Sequence, residues 1–87
     1  MKIETDRIVN SNAAALLQSG QAAISGGDAR FDLSAVQRCD SSAVALVLAW
    51  ERAARARGIQ IELQGIPADL HSLAKLYGVD SLITAAS

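Results

Sequence analysis

Apolar positions along the chain switch between the period of a strand and that of a helix. Lys2-Ile3-Glu4-Thr5 alternates as a half-buried strand does, and Arg7-Ile8-Val9 either extends it or pairs back on it around Asp6. Asn10-Ser11-Asn12 is a cluster of cap residues, opening an Ala- and Leu-rich helix that runs to about Ile24 and ends at Ser25-Gly26-Gly27. Ala29 to Leu33 alternates as a further strand, and residues 34–39 read as a link to the corner Asp40-Ser41-Ser42. A second helix is predicted from about Ser42 to Arg57, with Gly58 as its stop. Ile59-Gln60-Ile61-Glu62-Leu63 alternates strictly, with Gln60 and Glu62 on the wet side and Ile59, Ile61 and Leu63 toward a helix layer. Gly65-Ile66-Pro67 turns the chain, with Pro67 suited to the first helical position. The third helix covers about Ala68 to Tyr77 and ends at Gly78, and Val79 to Ala86 add a short helical turn.

Strands separated by single helices imply crossover connections, a mostly parallel sheet and an α/β fold. The length of 87 residues suits one domain spanning residues 1–87. In open α/β sheets, functional sites gather where strand ends meet helix starts. The Asp40-Ser41-Ser42 corner is such a junction.

The second helix is apolar on too many sides. Glu51, Arg52, Arg55 and Arg57 define a wet stripe in its lower half, and stepping back by turns from Glu51 and Arg55 leads to Leu48 and Val44. Either Val44 and Leu48 are covered by neighbouring helices, or they form a docking surface with Ser41 and Ala45. In the second case Arg52 and Arg55 stand at its rim.

Composition narrows the function. The net charge of −1 leaves no basic excess for a phosphate backbone, and Phe31, Trp50 and Tyr77 are too few aromatics for a base-stacking platform. Nucleic acid is therefore excluded as a partner. The start of the chain has no apolar core of a leader, and the longest apolar run, Ala43 to Trp50, has buried-helix length. A cytoplasmic protein without membrane insertion is expected. The single cysteine, Cys39, suits a reducing compartment and reads as a small buried apolar residue.

Candidate chemistry is sparse. His71 has no His or Cys near it at ligand spacing, so no metal site is expected, and no cofactor motif is present. Gly26-Gly27 follows a helix and so cradles no phosphate. Ser41, His71 and Asp69 hold the residue types of a hydrolytic triad, but no nucleophile elbow accompanies them. No enzyme is expected. The corner itself has two roles open to it. Asp40 or Ser41 caps the second helix, or the helix N-terminus presents Ser41 to a phosphoryl group or a partner.

The run Arg38-Cys39-Asp40-Ser41-Ser42-Ala43-Val44-Ala45-Leu46 is preceded by Asp32-Leu33-Ser34-Ala35-Val36 and followed by Leu63-Gln64-Gly65 and Leu73-Ala74-Lys75-Leu76-Tyr77. Over roughly residues 29–83 this pattern resembles the STAS domains, the fold of bacterial anti-sigma factor antagonists. The later segments are similar to the MlaB-like branch, the small STAS subunit of phospholipid-transporting ABC complexes. The resemblance implies a mostly parallel or mixed sheet of about four strands with helices packed against it. It implies a non-catalytic binding module in which Ser41 either engages an MlaF-like ABC ATPase subunit or is phosphorylated by an anti-sigma factor kinase. Asp40 then orients the corner, and Ser42, Val44, Ala45, Leu48 and Arg52 complete the surface. The family often has Gly where Ala43 stands, and a methyl there would narrow the approach of a kinase to Ser41. A homodimer through the second helix is a further possibility that the apolar pattern leaves open.

Overall fold

The computed structural model describes residues 1–79. Among them, β1 is Arg7–Ile8, α1 Asn10–Ser25, β2 Arg30–Asp32, β3 Arg38–Cys39, α2 Ser41–Ala56, β4 Glu62–Gln64 and α3 Ala68–Leu76. The order is that of an α/β fold, and both ladders are parallel: β1 with β3, and β2 with β4. The turn expected within Val79–Ala86 lies, apart from Val79, outside the described residues.

The first eight residues do not form a hairpin. Lys2 bridges Asp32 in parallel, while Arg7 and Ile8 pair with Arg38 and Cys39. One segment thus joins the two ladders, with a bend at Asp6 whose carbonyl accepts from Gln37 N at 2.7 Å and Arg38 N at 3.1 Å. The expected link at 34–39 therefore contains a strand. Its two residues are too few to show a period, and their pairing lies 31 positions away in Arg7 and Ile8.

The two faces of the β2–β4 ladder differ as alternation requires. Phe31 pairs with Leu63, and both are fully buried. Arg30 pairs with Glu62 and forms an ion pair at 2.9 Å on the other face. The predicted strand at 59–63 begins later, at Glu62, yet Ile61 and Leu63 face inward and Gln60 outward as read. At Gly65 the chain turns with φ +65°, and a Cβ there would lie 2.8 Å from the Ser34 backbone. Both the left-handed conformation and the close approach require glycine.

α2 packs against α1 on one side and α3 on the other. Trp50, fully buried, fills the centre, with its ring 4.7 Å from Phe31 at 67° and its indole N–H donating to Leu16 O at 3.3 Å. The edge-to-face geometry suits the ring quadrupoles, and the bond satisfies the buried polar tip. α1 approaches α2 through Gly20, which is buried against Trp50.

The placement of α2 corrects the stripe drawn from sequence. Val44 is only 6 % exposed and belongs to the core, and Leu48 is half-buried against it. Glu51 is itself half-buried, so stepping back from it followed the wrong line. Stepping back from exposed Arg52 gives Leu48 with Ala49, then Ala45, then Ser41. The helix does have a wet side, made of Ser41, Ala45, half-buried Leu48 and Ala49 and exposed Arg52, with Val44, Leu46 and Val47 buried in the core.

Candidate functional site: the Ser41 corner

Asp40 is the N-cap of α2, in extended conformation at φ −105° and ψ −173°. Its Oδ1 accepts from Ser42 N at 2.8 Å and from the Ser42 hydroxyl. Its Oδ2 accepts from Asn10 N, at the start of α1, at 3.1 Å. One carboxylate therefore satisfies orphan donors of two helices. The α1 start differs from the expected cap cluster. The helix begins at Asn10 itself, with Val9 as N-cap, and Asn12 reaches back to accept from Val9 N at 2.9 Å while donating to Arg7 O at 2.9 Å.

The outer edge of β3 is closed by α3. Cys39 N donates to Asp69 Oδ2 at 3.2 Å, so the strand entering the corner is held by β1 on one side and Asp69 on the other. From sequence Asp69 stands out only among the residue types of a triad, because its partner here lies 30 residues away. Its carboxylate is committed there, and His71 lies exposed on α3. Pro67 stands one position before its expected place, as the N-cap of α3 with φ −70°.

Ser42 is thus bound to Asp40, whereas Ser41 is exposed as the first residue of α2, and its hydroxyl bonds to no described residue. Ala45 is exposed one turn further, Leu48 and Ala49 are half-buried and Arg52 is exposed. Of the residues predicted for the surface, Ser41, Ala45, Leu48 and Arg52 share this stripe, Asp40 and Ser42 support it from the cap, and Val44 leaves it for the core. Ala43 is fully buried, so its methyl points inward and does not narrow the approach to Ser41.

Hydrogen bonds from the Ser42 side chain, then the Ser42 and Asn10 backbone, hold the Asp40 carboxyl below its ordinary 3.8. A lowered folded value means that this contribution is present above the ordinary value and is lost as pH falls through the folded one. Urea midpoints measured from about pH 7 down to about pH 2 should fall in wild type. Asp40→Asn should be less stable near neutrality and flatter in acid. Equal acid slopes would remove Asp40 from the cap.

Cys39 is half-buried, and its thiol is pushed up from 9.0 to about 11, by burial first and then by the charges of Asp69 and Asp40. The thiolate is the reacting form. Iodoacetamide at pH 8 should alkylate the native protein roughly a hundredfold more slowly than the urea-unfolded chain, followed by intact mass. Comparable rates would place the thiol in water.

The chain belongs to the STAS family: the family model described as "Mlab, STAS domain" matches residues 5–84. No protein of curated function matches the chain. STAS domains are generally binding modules that do no chemistry themselves. Protein–protein interaction is the role that this membership supports. Among the described residues, no helix is long and apolar enough to cross a membrane.

Proposed function

We propose that the protein is a non-catalytic STAS subunit that binds the ATPase of an Mla-type phospholipid ABC transporter. It does so through Ser41 and the exposed stripe of α2, and it works in the cytoplasm at the periphery of the inner-membrane complex. The observation that carries this reading is the division of labour at the corner. Asp40 and Ser42 satisfy the helix end between themselves, leaving the Ser41 hydroxyl free and outward on a stripe of small residues. A cap needed only for stability would not require a second, unengaged hydroxyl. The matching family model, described as "Mlab, STAS domain", supports the STAS binding role on which this reading builds.

A second reading is an anti-sigma factor antagonist switched by phosphorylation of Ser41. The same exposed hydroxyl favours it, and the inward methyl of Ala43 leaves room for a kinase. A phosphate at Ser41 would break such an interface by charge and desolvation.

The test is affinity purification of the tagged chain from its native cell, wild type against Ser41→Glu, read by mass spectrometry. An ABC ATPase with its permease, recovered with wild type and lost with Ser41→Glu, is the expected result. A kinase-like anti-sigma factor, with phosphate on Ser41 of wild type, would replace the transporter reading with the switch. Recovery unaffected by Ser41→Glu would place the interface elsewhere.

A further inference from the structure

We propose that the α2 stripe takes a protein partner that presents carboxylates to Arg52 and Arg55. The inference rests on the partner-binding role above and adds the chemistry of the partner's surface. Helix geometry aligns Ser41, Ala45, Leu48 with Ala49, Arg52 and Arg55 along one face, each about a turn from the last. The N-terminal half of that face is small and uncharged. The C-terminal half carries two exposed guanidinium groups, and exposed Arg57 follows at the C-cap.

Among the described residues these cations form no ion pair. The ion pairs among the described residues are Met1 ammonium–Asp28, Arg7–Asp6 and Arg30–Glu62, and none involves α2. The one carboxyl of α2, Glu51, is half-buried off the stripe; burial pushes its pKa up, the charge of Arg55 one turn on acts against that, and the two form no ion pair. A chain of net charge −1 therefore sets two exposed guanidinium groups, without an ion pair among the described residues, in line with Ser41. The helix dipole accounts for a cation at Arg55, in the last turn, but not for Arg52 a turn earlier.

Three occupants can be weighed. A second copy would bring the same stripe, whose exposed positions hold no carboxylate, so its arginines would meet small residues or one another. A membrane surface calls for a cluster of about four to eight cations or an inserted apolar face, and the stripe has neither. A protein face with carboxylates opposite Arg52 and Arg55, and a close-fitting contact over Ala45 and Ser41, matches both halves. Arg is suited to that recognition by its planar, bidentate fork.

The experiment uses the full chain and the protein that co-purifies with wild type, itself purified. Arg52→Gln with Arg55→Gln should slow association about tenfold at low salt and flatten its dependence on ionic strength, with dissociation little changed. Arg52→Lys with Arg55→Lys should restore the rate. Treated with a carbodiimide, this variant should form amide bonds between the introduced amines and Asp or Glu of the partner, the reagent leaving as its urea. An unchanged association rate, or cross-links absent from an intact complex, would overturn the proposal. So would arginine-dependent binding to phosphatidylglycerol–phosphatidylcholine vesicles in place of the protein. If Ser41→Glu dissociates the complex while the double Gln variant binds as wild type, only the acidic-partner proposal fails. If no protein co-purifies, or Ser41→Glu binds normally, the α2 surface fails as a whole.

Discussion

Gly20→Ala is expected to destabilise the protein by about 2 kcal/mol or more, although alanine is the better helix former. A Cβ at Gly20 would sit 2.0 Å from Trp50 Nε1, 2.5 Å from Cε2 and 2.7 Å from Cδ1. The indole cannot retreat. It is fully buried, rests edge-to-face on Phe31 and is tied by its N–H to Leu16 O. The gain of about 1 kcal/mol in helix propensity is therefore outweighed by forcing α1 away from α2. Urea midpoints with an unchanged m-value are the measurement. In a Trp50→Phe background the same substitution should cost at least about 1 kcal/mol less, because the clashing atoms are gone. A neutral Gly20→Ala in the Trp50 background would show that the two helices lie further apart.

Ser41→Glu should lower partner affinity about a hundredfold, or roughly 2.7 kcal/mol, while the fold keeps its stability within about 0.5 kcal/mol. The two effects separate because the side chain stands in water in the free protein. An acid in the first turn of a helix faces the positive end of its dipole, so folding tolerates the charge. Binding would bury that charge beside Asp40 without a counter-ion, and the longer side chain would hold the surfaces apart. Thermal melts and titration of the purified partner measure both quantities. Val44→Glu is the contrasting control and should unfold the chain, since Val44 lies in the core. A Ser41→Glu chain that loses binding only because it unfolds would be indistinguishable from that control, and would end the case for Ser41 as a contact.

Much of this fold was legible before its structure was known. The alternation at 29–33 announced a strand, that at 59–63 placed Ile61 and Leu63 inside, and the glycines after the helices marked their ends. The Asp-Ser-Ser triplet announced a helix start, and Ser41 does stand exposed at its first turn. The docking stripe was misdrawn by one residue. Charge alone cannot tell half-buried Glu51 from exposed Arg52, and the choice of anchor rotates the inferred face by about 100°.

Local pattern determined where the elements lie and which of their faces are apolar, because hydrogen-bonded helices and strands impose fixed periods on a chain that must bury its apolar side. It also determined that the corner carries two hydroxyls beside one carboxylate. Which hydroxyl is engaged is settled locally, by the bond of Ser42 to Asp40 two residues back, whereas only tertiary structure decided that Asp40 also caps α1 through Asn10. It alone decided that Asp69 closes the edge of β3, that Gly20 admits Trp50, and that Val44 belongs to the core. Each of those outcomes depends on contacts between positions distant in sequence or on the neighbours that flank a helix. Such contacts carry no period, and they come into being only when the elements pack.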